Sequence, residues 1–287
     1  TIVDQRTTYS NGVELNNWDF DYKGSMTLRT ALVYSRNTTA LQTFKAVGET
    51  NIKSFLKNLD IQITNDGKDY LVESNSIGAD ISPIKMAAAY ATFANYGTYS
   101  KPYTVSKVTT RDGQEYEFKP EQKQAIKDST AYMITDVLKD SFKYGFATQV
   151  AIDGLPTAAK TGSSNYTTEQ KLAMGASEYE NIIPDSWFIG YSTDYTISVW
   201  TGYDNPYVEG GGLNQTEQTY PKWIYYYLMQ YMAQFSSRDD WEQPDSVVKQ
   251  QIEVGSNPLS LPGPRTPANM IANELFVKGH VPTQQST

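Results

Sequence analysis

Cysteine is absent from the chain, and His280 is its only histidine. The first absence excludes disulfides, thiolate catalysis and Cys-based metal sites together. The second removes Ser-His-Asp chemistry and His-ligated zinc unless a group is borrowed from another chain, because His280 stands in a polar tail, Val281-Pro282-Thr283-Gln284-Gln285-Ser286-Thr287, that reads as disordered. If the protein is a hydrolase or acyl transferase, its base is expected to be a lysine. No metal or other cofactor is expected. The chain also has no apolar run of about eighteen residues, and Thr1-Ile2-Val3-Asp4-Gln5-Arg6 has neither the basic nor the apolar region of a signal peptide. Any membrane anchor is expected outside this sequence. An excess of basic residues is lacking too: Lys and Arg number 24 against 32 Asp and Glu, a net charge of −8. Nucleic acid is therefore not an expected partner.

What is present is enough for a substantial core, with 287 residues of which 39% are hydrophobic. Apolar spacing predicts short helices within 27–34 and 39–47, with Leu28, Ala31 and Leu32 inward in the first and Leu41, Phe44 and Val47 in the second. A third is expected over 51–59, with Ile52, Phe55, Leu56 and Leu59 inward. Ser82-Pro83 opens a helix that ends before Gly97. Asp112-Gly113 marks a hairpin between 105–108 and 115–118, and another amphipathic helix covers 130–138. From Thr157 the pattern changes to strands: 158–163, then an aromatic, β-branched hairpin of 186–191 and 195–203. A Tyr- and Met-rich helix from 221 to 235 should pack on that sheet. The last forty residues, with Pro258, Pro262, Pro264 and Pro267, read as extended or loose. The expected class is thus α/β (α+β), an antiparallel sheet flanked by helices.

Two tripeptides carry the candidate chemistry. Lys160-Thr161-Gly162 with Ser163 sets a cation, two hydroxyls and a glycine on one strand, where Lys160 and Gly162 point one way and Thr161 and Ser163 the other. The glycine would let a ligand backbone approach, and the Ser163 N–H, on an edge facing a cleft, could point at an oxyanion. Ser35-Arg36-Asn37 lies between two helices, where Ser and Asn commonly serve as turn formers or caps. Either tripeptide alone is weak. Ser-x-Asn between helices, followed by Lys-Thr-Gly on a strand before an aromatic hairpin, is a far more specific combination.

With these motifs, Asn17-Trp18-Asp19 through Gly24, Ser82-Pro83 through Gly97, Asp185 to Tyr191 and Val199-Trp200-Thr201-Gly202-Tyr203, the chain resembles the transpeptidase domain of class A (bifunctional) penicillin-binding proteins, streptococcal ones in particular. The resemblance covers roughly residues 17–241. It implies the penicillin-binding transpeptidase / serine β-lactamase-like fold and a D,D-transpeptidase that cross-links peptidoglycan stem peptides ending in D-Ala-D-Ala. β-Lactam antibiotics would be its inhibitors. Ser35, Asn37 and Lys160 would be the catalytic residues carried by this chain. Thr161, Gly162 and Ser163 would bind substrate. The implied location is the outer face of the bacterial cytoplasmic membrane, with an N-terminal anchor. Residues 1–243 would be the later part of the transpeptidase domain, and 244–287 an extended or poorly ordered tail.

The family's nucleophile comes from Ser-x-x-Lys, which precedes Ser-x-Asn, and nothing before Ser35 fits it. Ser54-Phe55-Leu56-Lys57, Ser82-Pro83-Ile84-Lys85 and Ser246-Val247-Val248-Lys249 match its letters but read as mid-helix, N-cap and C-terminal positions. The expectation is that the nucleophile belongs to an N-terminal part of the same protein outside this sequence. Two further departures, Ala159 where the family has Gly and Gly145-Phe146-Ala147-Thr148 where it often has Gly-Thr-Gly, would narrow the cleft and affect β-lactam binding. Within the fold, the alternatives are a D,D-carboxypeptidase or β-lactamase. From another class, a non-catalytic peptidoglycan-binding module would use the 22 tyrosines as sugar platforms.

Overall fold

The computed structural model describes residues 1–286. Ala158–Ser163, Asp185–Tyr191 and Thr196–Gly202 form an antiparallel sheet in that spatial order. The register sets Lys160 opposite Ile189 and Gly162 opposite Trp187, which in turn faces Trp200. The strand of Lys160 is thus an edge.

Alternation along the strands gives the sheet two apolar faces. On one, helix Tyr220–Met232 buries Tyr225 and Met229 against Phe188 and Ala159, with the Tyr225 and Phe188 rings 4.7 Å apart. Gly190 permits this approach, since a Cβ there would stand 2.4 Å from the Tyr225 ring. On the other face, Tyr191 is fully buried among Ala158, Leu138 and Trp241, and its hydroxyl shares a 3.0 Å hydrogen bond with Thr135. Helices Pro83–Ala94 and Asp128–Lys139 supply that side, Tyr90 meeting the Tyr191 ring edge-on. Helices on both faces of an antiparallel sheet give the expected class.

The N-terminal region differs in detail from the sequence reading. Ile2–Asp4 pairs with Gly24–Met26 and leads into helix Leu28–Val33, whose N-cap Thr27 accepts a hydrogen bond from the Thr30 N–H. Ala31 and Val33 are its buried residues, whereas Leu28 is 59% exposed. A six-residue helix offers too few repeats for its apolar phase to be read. The next helix, Asn37–Val47, starts two residues before the expected 39 and takes Asn37 as its first helical residue. It buries Leu41 but leaves Val47 exposed. Helix Glu49–Asn58 buries none of its own residues, and Leu59 just beyond it packs with Ile61 and Ala88 instead.

The C-terminal stretch also departs from the loose reading. Val247–Glu253 and Ile271–Val277 form an antiparallel pair with Val247 and Ile252 buried. The prolines that suggested irregular chain all fall in the connection between these strands. Beyond them, Ser286 N–H donates to the Leu261 carbonyl at 2.9 Å, so the tail read as disordered is tied back.

Candidate active site

Only Tyr34, Ser35 and Arg36 separate the helices Leu28–Val33 and Asn37–Val47. Such a short link forces a sharp reversal, and Ser35 makes it at φ 52°, the left-handed region that L-residues seldom adopt. The turn is held by Ser35 N–H to Leu32 O at 3.1 Å and Arg36 N–H to Ala31 O at 3.0 Å. Trp18 Nε1 donates to the Tyr34 carbonyl at 3.1 Å. So held, the Ser35 hydroxyl meets the edge strand: Lys160 Nζ donates to Ser35 Oγ at 2.7 Å, across 125 residues of sequence. Lys160 Nζ also donates to Thr161 O at 3.0 Å.

No carboxylate pairs with Lys160 among the described residues. Burial lowers its ammonium from 10.5 to about 8. It therefore remains mostly cationic at neutral pH, and its charge is not neutralised by an ion pair.

Exposure increases along the strand beyond Lys160: Thr161 is half-buried, and Gly162 and Ser163 are exposed. The Ser164 N–H points at Asp185 O at 3.4 Å. Because ladder hydrogen bonds alternate in an antiparallel pair, the N–H groups of Ser163 and Thr161 face away from the neighbouring strand, toward the open edge. Asp185 braces this end by accepting from Ser164 Oγ at 2.6 Å and from Trp200 Nε1 at 2.7 Å. Gly162 has a packing reason beside any ligand-facing one, since a Cβ would lie 3.3 Å from that of Trp187.

Asn37 is next to this arrangement in the chain but turns elsewhere, its Nδ2 donating to Asn16 O at 2.9 Å. The two residues flagged as narrowing the cleft, Phe146 and Ala159, line a cavity of about 10 Å³ together with Lys160, Thr161 and Val33, room for about one water. Trp18 meets the Phe146 ring edge-on with centroids 5.4 Å apart. Of the three Ser-x-x-Lys letter matches, Ser54 lies in helix Glu49–Asn58, Ser82 is an N-cap without a side-chain capping bond, and Ser246 Oγ bonds to Asp128. None lines that cavity or bonds to the Ser35–Lys160 pair.

Residues 1–229 match the family described as the penicillin binding protein transpeptidase domain. The chain belongs to that family. Residues 243–287 match a second family, the penicillin-binding protein 1A C-terminal domain. Among curated relatives, penicillin-binding protein 1A/1B of Bacillus subtilis is 38% identical over 99% of this chain and 31% of its own length. Penicillin-binding protein 1A of Streptococcus pneumoniae R6 is 38% identical over 88% of this chain and 36% of its own. The chain thus spans about a third of the length of these relatives. The crystal structure of penicillin-binding protein 1A from Haemophilus influenzae superimposes with a TM-score of 0.78 at 19% identity, covering 100% of this chain and 45% of that one. Penicillin binding protein 3 from Mycobacterium tuberculosis, solved with ampicillin, gives a TM-score of 0.64 at 15% identity, covering 85% of this chain and 58% of that one. At these identities the two structures show the shared fold.

Within this penicillin-binding transpeptidase fold, sequence reasoning missed the residues behind Ser35. Arg36 is 3% exposed and Asp4 1%. The Arg36 Nε donates to Asp4 Oδ2 and its Nη1 to Asp19 Oδ2, each at 2.8 Å. The available signal was compositional: an arginine between two motif residues, preceded by Asp19 and Asp21 in one turn-rich segment.

Proposed function

We propose that this chain is the later part of a D,D-transpeptidase domain that joins peptidoglycan stem peptides through a serine acyl-enzyme and is inhibited by β-lactams. The observation that carries the reading is the 2.7 Å hydrogen bond between Lys160 and Ser35, placed beside an open strand edge. In this reading the nucleophilic serine and its lysine come from a Ser-x-x-Lys segment outside these residues. That serine attacks the carbonyl of D-Ala-D-Ala, the C–N bond breaks, and D-alanine leaves. Ser35 passes a proton to the departing nitrogen, and the Lys160 ammonium favours that transfer while attracting the substrate carboxylate. The Thr161 and Ser163 hydroxyls bind that carboxylate, with Gly162 between them allowing close approach. The outward Ser163 N–H supplies half of an oxyanion hole. Asn37 holds the substrate amide and the catalytic lysine, which requires its side chain to leave Asn16 O when substrate is present. An amino group on a neighbouring stem peptide then takes the acyl group.

We assign residues 1–243 to the transpeptidase domain and 244–287 to a separate C-terminal unit, in line with the two family matches. The catalytic face is placed on the outer side of the cytoplasmic membrane. No helix among the described residues is long and apolar enough to cross it.

The test is product analysis with a polypeptide that also carries the Ser-x-x-Lys segment, a stem pentapeptide and an amine acceptor. Transpeptidation predicts D-alanine release matched by a new amide to the acceptor. D-Alanine release without that amide would make the protein a carboxypeptidase, and hydrolysed β-lactam alone a β-lactamase. Reversible binding with no covalent labelling would leave only a binding module.

A further inference from the structure

We infer that Arg36, clamped between Asp4 and Asp19, is a positioning residue that holds Ser35 in its left-handed turn and so keeps the Ser35 hydroxyl on Lys160. The inference rests on the transpeptidase reading for its kinetic consequence and on geometry for the rest. Arg36 uses every face of its guanidinium: Nε to Asp4, Nη1 to Asp19, and Nη2 to the Asp21 carbonyl. Its side chain is 2% exposed and that of Asp4 is 0%. Asp4 is saturated in turn. It accepts from Asn17 Nδ2 at 2.7 Å, the Lys23 N–H at 3.0 Å and Thr38 Oγ1 at 2.5 Å as well as from Arg36. Burial works to raise its carboxyl, but these hydrogen bonds outweigh that and hold it below the usual range.

The clamp and a neighbouring indole together hold the chain on both sides of Ser35. Upstream, Trp18 holds the Tyr34 carbonyl. Downstream, Arg36 and Thr38 are fixed to Asp4 and Asn17, with the Thr38 N–H donating to Asn17 Oδ1 at 3.3 Å. A left-handed serine persists only where its surroundings over-determine it. Release of Arg36 would let Ser35 relax to negative φ, which swings its Cα–Cβ bond away from Lys160. A buried ion pair of this kind contributes little net stability relative to apolar packing. Its place between the two motif residues gives it a geometric role instead.

The test uses a polypeptide that includes the Ser-x-x-Lys segment, labelled with fluorescent penicillin, with rates expressed per folded molecule. Arg36→Met is expected to slow acylation about a hundredfold, the scale of a misplaced reacting group. In a Ser35→Ala background the same change should add nothing beyond about twofold, because Arg36 acts through Ser35. Wild-type rates in Arg36→Met, or a slowing that multiplies with that of Ser35→Ala, would overturn the inference. Asp19→Asn, at the solvent-facing end of the clamp, gives a milder variant should Arg36→Met fail to fold, with an expected loss of about tenfold. An independent readout is lysine 13C NMR of the same polypeptide. Asp19→Asn should displace the Lys160 Cε resonance in the direction that Ser35→Ala does, while exposed lysines such as Lys101 stay in place. An unmoved Lys160 signal contradicts the clamp. Failure of the wild-type polypeptide to label at all would count against the transpeptidase reading, with the NMR result still deciding the clamp.

Discussion

In the proposed reaction the chemistry turns on Lys160, and the environment of this residue makes a signed prediction. Burial lowers its ammonium from 10.5 to about 8, so between those values the unfolded chain binds the proton that the folded chain has released. Stability gains from this site as pH rises through that window, and folding is penalised by the buried ammonium below it. Denaturant melts of wild type against Lys160→Met should therefore show the difference shifting in favour of wild type from pH 8 toward 10.5. A pH-independent difference would mean that the ammonium is not desolvated. Acylation by an anionic penicillin should fall as pH rises through about 8, where the folded protein loses this positive field. At this scale the motif residues Ser35 and Lys160 were legible in the sequence, because their spacing and local elements were. Arg36 was not. Its burial depends on Asp4, on a strand thirty-two positions earlier, and no local period reports such a contact.

The hairpin that follows the strand Ala158–Ser163 was readable because aromatic and β-branched residues fill it, whereas the small-sided strand itself was read from its place before that hairpin. The short helices were read less well: Leu28 and Val47 are exposed where apolar phase placed them inward. With one or two turns in contact, tertiary packing decides which side is covered. Asp185 is the element-level brace of the site, joining the end of the Lys160 strand to Trp200 on the third strand. Asp185→Ala leaves the indole N–H and the Ser164 hydroxyl without their acceptor. It should destabilise the fold by about 1–3 kcal/mol in equilibrium denaturation. Unchanged stability would show that both donors find other partners.

Across the whole molecule, Arg29 ties three distant segments together. Its guanidinium meets Asp136 at 2.6 Å, Asp140 at 2.8 Å and Glu274 at 2.9 Å, with its side chain 15% exposed. The helix that ends just before Ser35, the helix Asp128–Lys139 and the C-terminal strand Ile271–Val277 thus share one cation. Arg29→Met would leave Asp140 and Glu274, whose side chains are 9% and 14% exposed, without their shared cation, so a loss of about 3–5 kcal/mol is expected in denaturant melts. A loss under about 1 kcal/mol, the range of an exposed pair, would contradict that account. The C-terminal pair was hidden from the sequence reading because its prolines drew attention to the connection, while Glu274 finds its partner 245 positions away.

In the proposed reaction Ser35 and Lys160 work as one unit, which acylation by fluorescent penicillin of a polypeptide carrying the Ser-x-x-Lys segment would probe directly. Lys160→Ala and Ser35→Ala should each suppress labelling by about a hundredfold or more, on the scale of losing a preorganised polar group. Both variants should remain folded, as circular dichroism would show. Labelling of the folded Lys160→Ala protein at the wild-type rate would contradict the account.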